Sequence, residues 1–251
     1  MKLVAVIGAG GGMGATTVAA HLAAGLTAQH RLVLAFDLCP ENVLRLHFGM
    51  RWEDEGGFAP QLLVGLEWQA ATYRSAGGID FVPFGQLNED AELAILSDWF
   101  AQHPQWLGEQ LAALDLPADT IIVCDCPRAP ANFRTQALAC ADLVLIVALP
   151  DPVAYSVATR MTAHVKRAGG PSTMVVLNGF DAARRLDRDI AVLWRTAFRA
   201  NLAPVLIHRD ESLREALACQ RTVFDFAPSS AAAHEFAALA TWTLSRLGQV
   251  T

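Results

Sequence analysis

Two hydrophobic rhythms alternate along the chain. Short runs dominated by apolar, often β-branched residues recur at Lys2–Ile7, Arg31–Phe36, Ile79–Pro83, Thr120–Cys124, Leu143–Ala148, Thr173–Leu177 and Pro204–Ile207. Runs of that length bounded by turn residues predict strands buried on both faces. The intervening stretches carry apolar residues three or four apart and predict helices. Ala15–Ala28 is the plainest, with Val18, Leu22 and Leu26 on one face. Shorter or weaker helices are predicted at Val43–Phe48, twice between Ala59 and Arg74, and at Asn132–Ala141, Asp187–Ala200 and Ser212–Cys219. Longer ones are predicted over Glu89–Leu114, anchored by Trp99, Phe100 and Trp106, and over Pro152–Arg167. The last, Ser230–Leu247, sets Phe236, Leu239, Ala240, Thr243 and Leu247 on one face before Gly248. Arg51–Phe58, charged and glycine-bearing, predicts a surface loop.

Strands alternating with helices throughout predict an α/β fold. The expected form is a single doubly wound, mostly parallel sheet with helices on both faces, one domain over residues 1–251. In such folds ligands bind at the carboxyl ends of the strands. Gly8–Gly14, Asp37, Asp125 and Asn178 all fall there.

Composition narrows this only slightly. Apolar residues make up 53% of the chain and charged ones 18%, which suits a large core. The formal charge of −6 argues against non-specific nucleic-acid binding. The apolar run after Met1-Lys2 stops at Gly8, unlike a signal peptide, and no stretch is long enough to span a membrane. Five cysteines, an odd number, suggest reduced thiols in a cytosolic protein. Cys124-x-Cys126 has no partner pair and is a poor zinc site.

The chemistry centres on the glycine-rich stretch between the first strand and first helix, with five glycines between Gly8 and Gly14. Glycines admit an anion close to the backbone, and a helix N-terminus offers it unpaired N–H groups. Two registers are open. Gly10-x-Gly12-x-x-Ala15, with Asp37 further on, fits a dinucleotide fingerprint and an NAD(P)-linked oxidoreductase. Gly10-Gly11-Gly12-Met13-Gly14-Ala15-Thr16-Thr17 fits a triphosphate loop, where a threonine hydroxyl at position 16 would hold Mg²⁺.

The second register resembles the variant P-loop of the MinD/ParA ATPases, K-G-G-x-G-K-T-T. Ile121–Pro127 is similar to the strand whose terminal acid, here Asp125, holds Mg²⁺ through water; a solvated strand-end acid is the plainer alternative. Leu34–Pro40 is similar to the D-x-D-P segment. Val175–Asn178 is similar to the adenine-side strand, although an Asn-Gly turn would explain Asn178 as well. Asp37–Phe48, Val82–Leu87 and Leu206–Glu211 resemble segments of the BcsQ (YhjQ) family of bacterial cellulose secretion.

The resemblance implies ATP and Mg²⁺ as ligands. Gly11, Gly12, Met13, Gly14, Ala15, Thr16 and Thr17 would bind nucleotide, with Asn178 and His208 near the base. Thr16, Asp37 and Asp125 would hold the metal, and Asp37 is the one catalytic candidate. It further implies a nucleotide-sandwich homodimer with a small accessory protein and cellulose synthase components as partners. Such a protein would be cytoplasmic and peripheral to the inner membrane, and it would regulate or assemble the complex.

Three departures matter. Both lysine positions are replaced, by Gly10 and Ala15, and the second acid of D-x-D is Cys39. A unit charge pair at 4 Å is worth about 4 kcal/mol at an effective dielectric of 20, so losing both lysines weakens transition-state stabilisation. A thiol is a poor substitute for the acid that orients the attacking water. The expectation is binding with weak or absent hydrolysis; the nearest alternative is a positioning ATPase that retains turnover.

Other polar residues are less telling. Arg184, Arg185, Arg188, Arg195 and Arg199 are interleaved with Asp181, Asp187 and Asp189 and read as a solvated or protein-facing surface. Arg45 could reach a nucleotide or a partner, or form a surface pair, and His208 with Asp210 could be simple loop polarity. The last helix lacks a basic face and should pack on the sheet.

Overall fold

The computed structural model describes residues 1–88 and 90–248. The chain runs β1 (Lys2–Gly8), α1 (Ala15–Ala28), β2 (Val33–Asp37), α2 (Leu44–His47), α3 (Phe58–Leu63), β3 (Tyr73–Arg74), β4 (Asp80–Val82), α4 (Asp90–Gln102) and α5 (Trp106–Ala113). It continues β5 (Ile121–Cys126), α6 (Ala131–Cys140), β6 (Leu143–Ala148), α7 (Pro152–Arg167), β7 (Ser172–Phe180), α8 (Arg185–Phe198), β8 (Leu202–His208), α9 (Ser212–Ala218), α10 (Val223–Phe226) and α11 (Ala231–Leu247). The strands form one sheet in the order β3-β4-β2-β5-β1-β6-β7-β8. All neighbours pair in parallel except β3 and β4.

Alternation along each strand divides the core in two. Leu3, Ala5 and Ile7 of β1 face one side with Phe36, Cys124 and Ile146, covered by Phe58, Phe100, Trp106, Phe133 and Trp194 from α3 to α8. Val4 and Val6 face the other with Ala35, Val123 and Leu145, covered by α1 and α11 through Leu22, Leu26, Phe236 and Leu239. The last helix thus packs on the sheet by its expected face. Local signals fix several boundaries. Asp151 caps α7 by accepting from Val153 and Ala154 N–H, with Pro152 opening the helix. Ser230 caps α11 through Ala233 N–H. No helix among the described residues is long and apolar enough to cross a membrane.

Four details differ from the sequence reading. The helix expected over Glu89–Leu114 is two helices, because Pro104 lacks an N–H and disfavours helical geometry at His103; its expected start, Glu89, lies outside the described residues. The second helix expected before Arg74 is a 3₁₀ turn at Trp68–Ala71, followed by the short antiparallel strand β3. Strand β7 continues past Asn178 to Phe180, its pairing to β8 irregular there and Gly179 left-handed at φ 63°. The α10 turn is a short addition that periodicity does not reveal, four residues being barely one turn.

Candidate functional site

β1 ends at Gly8 and α1 begins at Ala15, so the glycine stretch lies at the carboxyl edge of the sheet. Gly12 (φ 71°) and Gly14 (φ 80°) take left-handed backbone conformations that favour glycine. Gly14 caps α1 without a side chain, and its carbonyl accepts from Val18 N–H at 2.9 Å. The N–H groups of Ala15, Thr16 and Thr17 therefore have no acceptor within the helix. Ala15 and Thr16 belong to the rim of a cavity of about 460 Å³ that is also lined by the glycine loop, Cys39, Glu41, Asp125 and Arg128.

Asp37 and Asp125 are direct register partners on β2 and β5 and are fully buried. Asp37 Oδ1 accepts from Cys39 N–H at 2.9 Å. Its Oδ2 and both Asp125 oxygens have no hydrogen-bond partner. Asp37, Cys39 and Asp125 bring one ligand atom each to within 4.8 Å of one another. Burial, then the charge on Asp125, raises the Asp37 carboxyl well above its ordinary range. Burial pushes Asp125 up to about 6, offset in part by the nearby Thr16 hydroxyl and Cys39 thiol, which stop short of hydrogen-bonding geometry. Burial also raises the Cys39 thiol, which stays neutral. Three orphaned oxygens from two adjacent buried carboxylates are costly alone and suit a hard divalent cation. Asp125 and Thr16 line the cavity, whereas Asp37 lies behind its wall.

A second cavity, about 470 Å³, lies across the loop and shares Gly12 with the first. Thr17, Asn178 and His208 line it, with Asp151, Arg209 and Asp210. Asn178 Nδ2 donates to Met13 O at 2.8 Å, so this amide braces the loop as well as lining the cavity. His208 Nδ1 meets Glu235 Oε1 at 2.5 Å, which ties the end of β8 to α11. All the candidate loop residues, Asn178 and His208 thus surround two adjoining cavities.

Arg45 reaches neither cavity: it is buried, and its guanidinium donates to the carbonyls of Arg51 and Trp52, because a buried cation needs acceptors and the 51–52 loop supplies them. Arg184 pairs with Asp181 and Arg185 with Asp189 on an exposed face. Arg128 and Glu41 line the loop cavity but did not stand out in the sequence. The available signal for Arg128 was its place as the first cation after the strand-end Asp125-Cys126-Pro127.

Topology separates the two loop registers. In a dinucleotide fold the acid-bearing second strand lies beside the first. Here β5 is inserted between β1 and β2, so Asp37 stands against Asp125 instead of beside the glycine loop. That arrangement does not fit a ribose-binding acid.

The chain's likeness to known proteins agrees. The solved structure of the cell division ATPase MinD from Pyrococcus furiosus superposes with a TM-score of 0.77 at 21% identity, covering 100% of this chain and 99% of that one. Cobyrinic acid a,c-diamide synthase from Mycobacterium smegmatis, solved with a bound ATP analog and magnesium, superposes with a TM-score of 0.75 at 23% identity, covering 99% and 96%. Both share the fold. The cellulose biosynthesis protein BcsQ of Escherichia coli K12 is 29% identical over 97% of this chain and 94% of its own length. The family model for cellulose biosynthesis protein BcsQ matches residues 1–244. The chain belongs to the BcsQ family of cellulose biosynthesis proteins.

Proposed function

We propose that this protein binds ATP with Mg²⁺ at the glycine loop and hydrolyses it weakly or not at all, acting as a regulatory or assembly component of a cellulose synthesis complex. One observation carries the reading: the buried Asp37–Asp125 pair, with three unpartnered oxygens, adjoins a glycine loop that has no lysine. Thr16, Asp125 and, from behind, Asp37 would hold the metal, which supplies positive charge against the phosphates. The backbone N–H groups of Gly11 to Thr17 and the α1 dipole would hold the phosphates themselves. Asn178 and His208 would flank the base in the second cavity.

The neutral Cys39 thiol, buried beside both acids, is poorly suited to orient or deprotonate water. That supports holding over cutting. The wider reading rests on family membership: a homodimer closed over nucleotide, a small accessory partner and cellulose synthase components, with the protein at the cytoplasmic face of the inner membrane.

Titration calorimetry with Mg·ATP, ADP and NADPH, followed by phosphate release, tests it. Saturable Mg-dependent ATP binding is expected, with no NADPH binding. Turnover of about 1 per second, ordinary for an enzyme, would instead establish an active ATPase. Co-purification with cellulose synthase components tests the complex.

A further inference from the structure

We infer that Arg128 supplies, from the loop after β5, the cation that the glycine loop itself lacks, and that it contacts the phosphates of the bound nucleotide. The inference rests on the nucleotide reading above and adds the residue that recognises the phosphate charge.

Gly10 occupies the first of the two positions where the related loops carry lysine. A Cβ built there would lie 4.0 Å from Arg128 Nη1. The guanidinium therefore stands beside the space that a side chain at position 10 would enter. Among the described residues lining the loop cavity, Arg128 is the only lysine or arginine, against Asp125 and Glu41. Arg128 forms no ion pair among the described residues. An unpaired guanidinium, with donors forked for phosphate oxygens, is ready to take an anionic ligand.

Two features hold it on that side. Arg134 Nη1 donates to the Arg128 carbonyl, which fixes the backbone from α6. Arg128 also borders a cavity of about 320 Å³ on its other flank, where Arg134, Arg160 and His164 gather. Basic neighbours there and acids at the loop cavity both favour the guanidinium over the loop. A phosphate chain at the α1 N-terminus would then lie between backbone N–H groups and Arg128.

The test compares Mg·ATP and AMP affinity by calorimetry in the full chain. Arg128 is exposed, so Arg128→Ala removes no core contact. Mg·ATP affinity should fall about 10- to 100-fold, the range for losing a hydrogen bond to a charged group, while AMP affinity holds. Arg128→Lys should keep part of the difference. Gly10→Lys in the Arg128→Ala background should restore most of it. Position 10 can accept that side chain, because a Cβ there crowds only the flexible end of Met13, at 2.9 Å. Wild-type Mg·ATP affinity in Arg128→Ala overturns the inference, as does an equal loss for AMP or no recovery from Gly10→Lys. If the wild-type protein binds no ATP, the nucleotide reading fails first and takes this inference with it.

Discussion

Three of the five loop glycines, at positions 11, 12 and 14, differ in what an alanine would cost. At Gly11 a Cβ meets nothing within 4 Å and the backbone is not left-handed, so Gly11→Ala should change stability by less than about 0.5 kcal/mol. At Gly12 the space is also open, but φ is 71°, and a left-handed non-glycine residue costs about 1–2 kcal/mol. At Gly14 the same conformational cost applies at φ 80°, and the Cβ would stand 2.4 Å from Asn178 Nδ2. Asn178 must then move and lose its 2.8 Å bond to Met13 O, a further loss of about 0.5–1.5 kcal/mol. Gly14→Ala should therefore cost about 1.5–3.5 kcal/mol in total. For a chain of this size each kcal/mol lowers the melting temperature by about 2–4 °C. Scanning calorimetry of the three variants without nucleotide should rank the losses Gly11, Gly12, Gly14. Adding Asn178→Ala should shrink the Gly14 penalty towards that of Gly12. Equal losses at Gly11 and Gly14, or no coupling to Asn178, would refute the reasoning.

Other perturbations follow from the same geometry. Ala15→Lys should tighten Mg·ATP binding measured by calorimetry, since it returns a cation to the α1 N-terminus; abolished binding would contradict the register. Cys39→Asp places a third acid beside Asp37 and Asp125, whose ligand atoms and that of Cys39 lie within 4.8 Å of one another; like charges at that separation repel by about 3.5 kcal/mol at a dielectric of 20. Its Mg-free melting temperature should fall while that of Cys39→Ser holds. Burial lowers the pKa of His21 to about 4 and of His47 to about 3, so both stay neutral in the folded state down to those values. The unfolded chain takes up protons below about pH 6.5, so their contribution is fully present above that pH and is lost as pH falls towards 4 and 3. At pH 5 the loss is about 2 kcal/mol for each ring, read from urea midpoints. His47→Phe, which removes two unpartnered ring nitrogens, should flatten the slope between pH 7.5 and 5 relative to wild type.

Much of this was legible in the sequence for physical reasons. Strands buried on both faces must be continuously apolar, so Leu143–Ala148 showed its limits to the residue. Gly14 and Ala15 marked the start of α1 because a left-handed cap needs glycine. The Asp37–Asp125 pair was legible only as two separate strand ends; their adjacency is a matter of strand order, which no local pattern encodes. Asn178 was expected near the base, and its hold on Met13 is a long-range contact that residue type does not announce. Arg128 sits in an irregular turn that no periodicity marks, and its meaning comes from its nearness to Gly10, a contact that only the fold creates.

The insertion of β5 between β1 and β2 also sets a schedule for folding. Asp37 meets its partner only when residues near 125 have joined the sheet. The loop gains its brace only when residue 178 arrives on β7. These are parallel pairings of high sequence separation, which form late because long loops must close before they bring any gain. A growing chain would therefore expose the glycine loop on the ribosome long before that loop could grip a nucleotide. Nucleotide capture would then report that the sheet is complete from β2 through β7, and the same ligand would stabilise only chains that had finished that part of their folding.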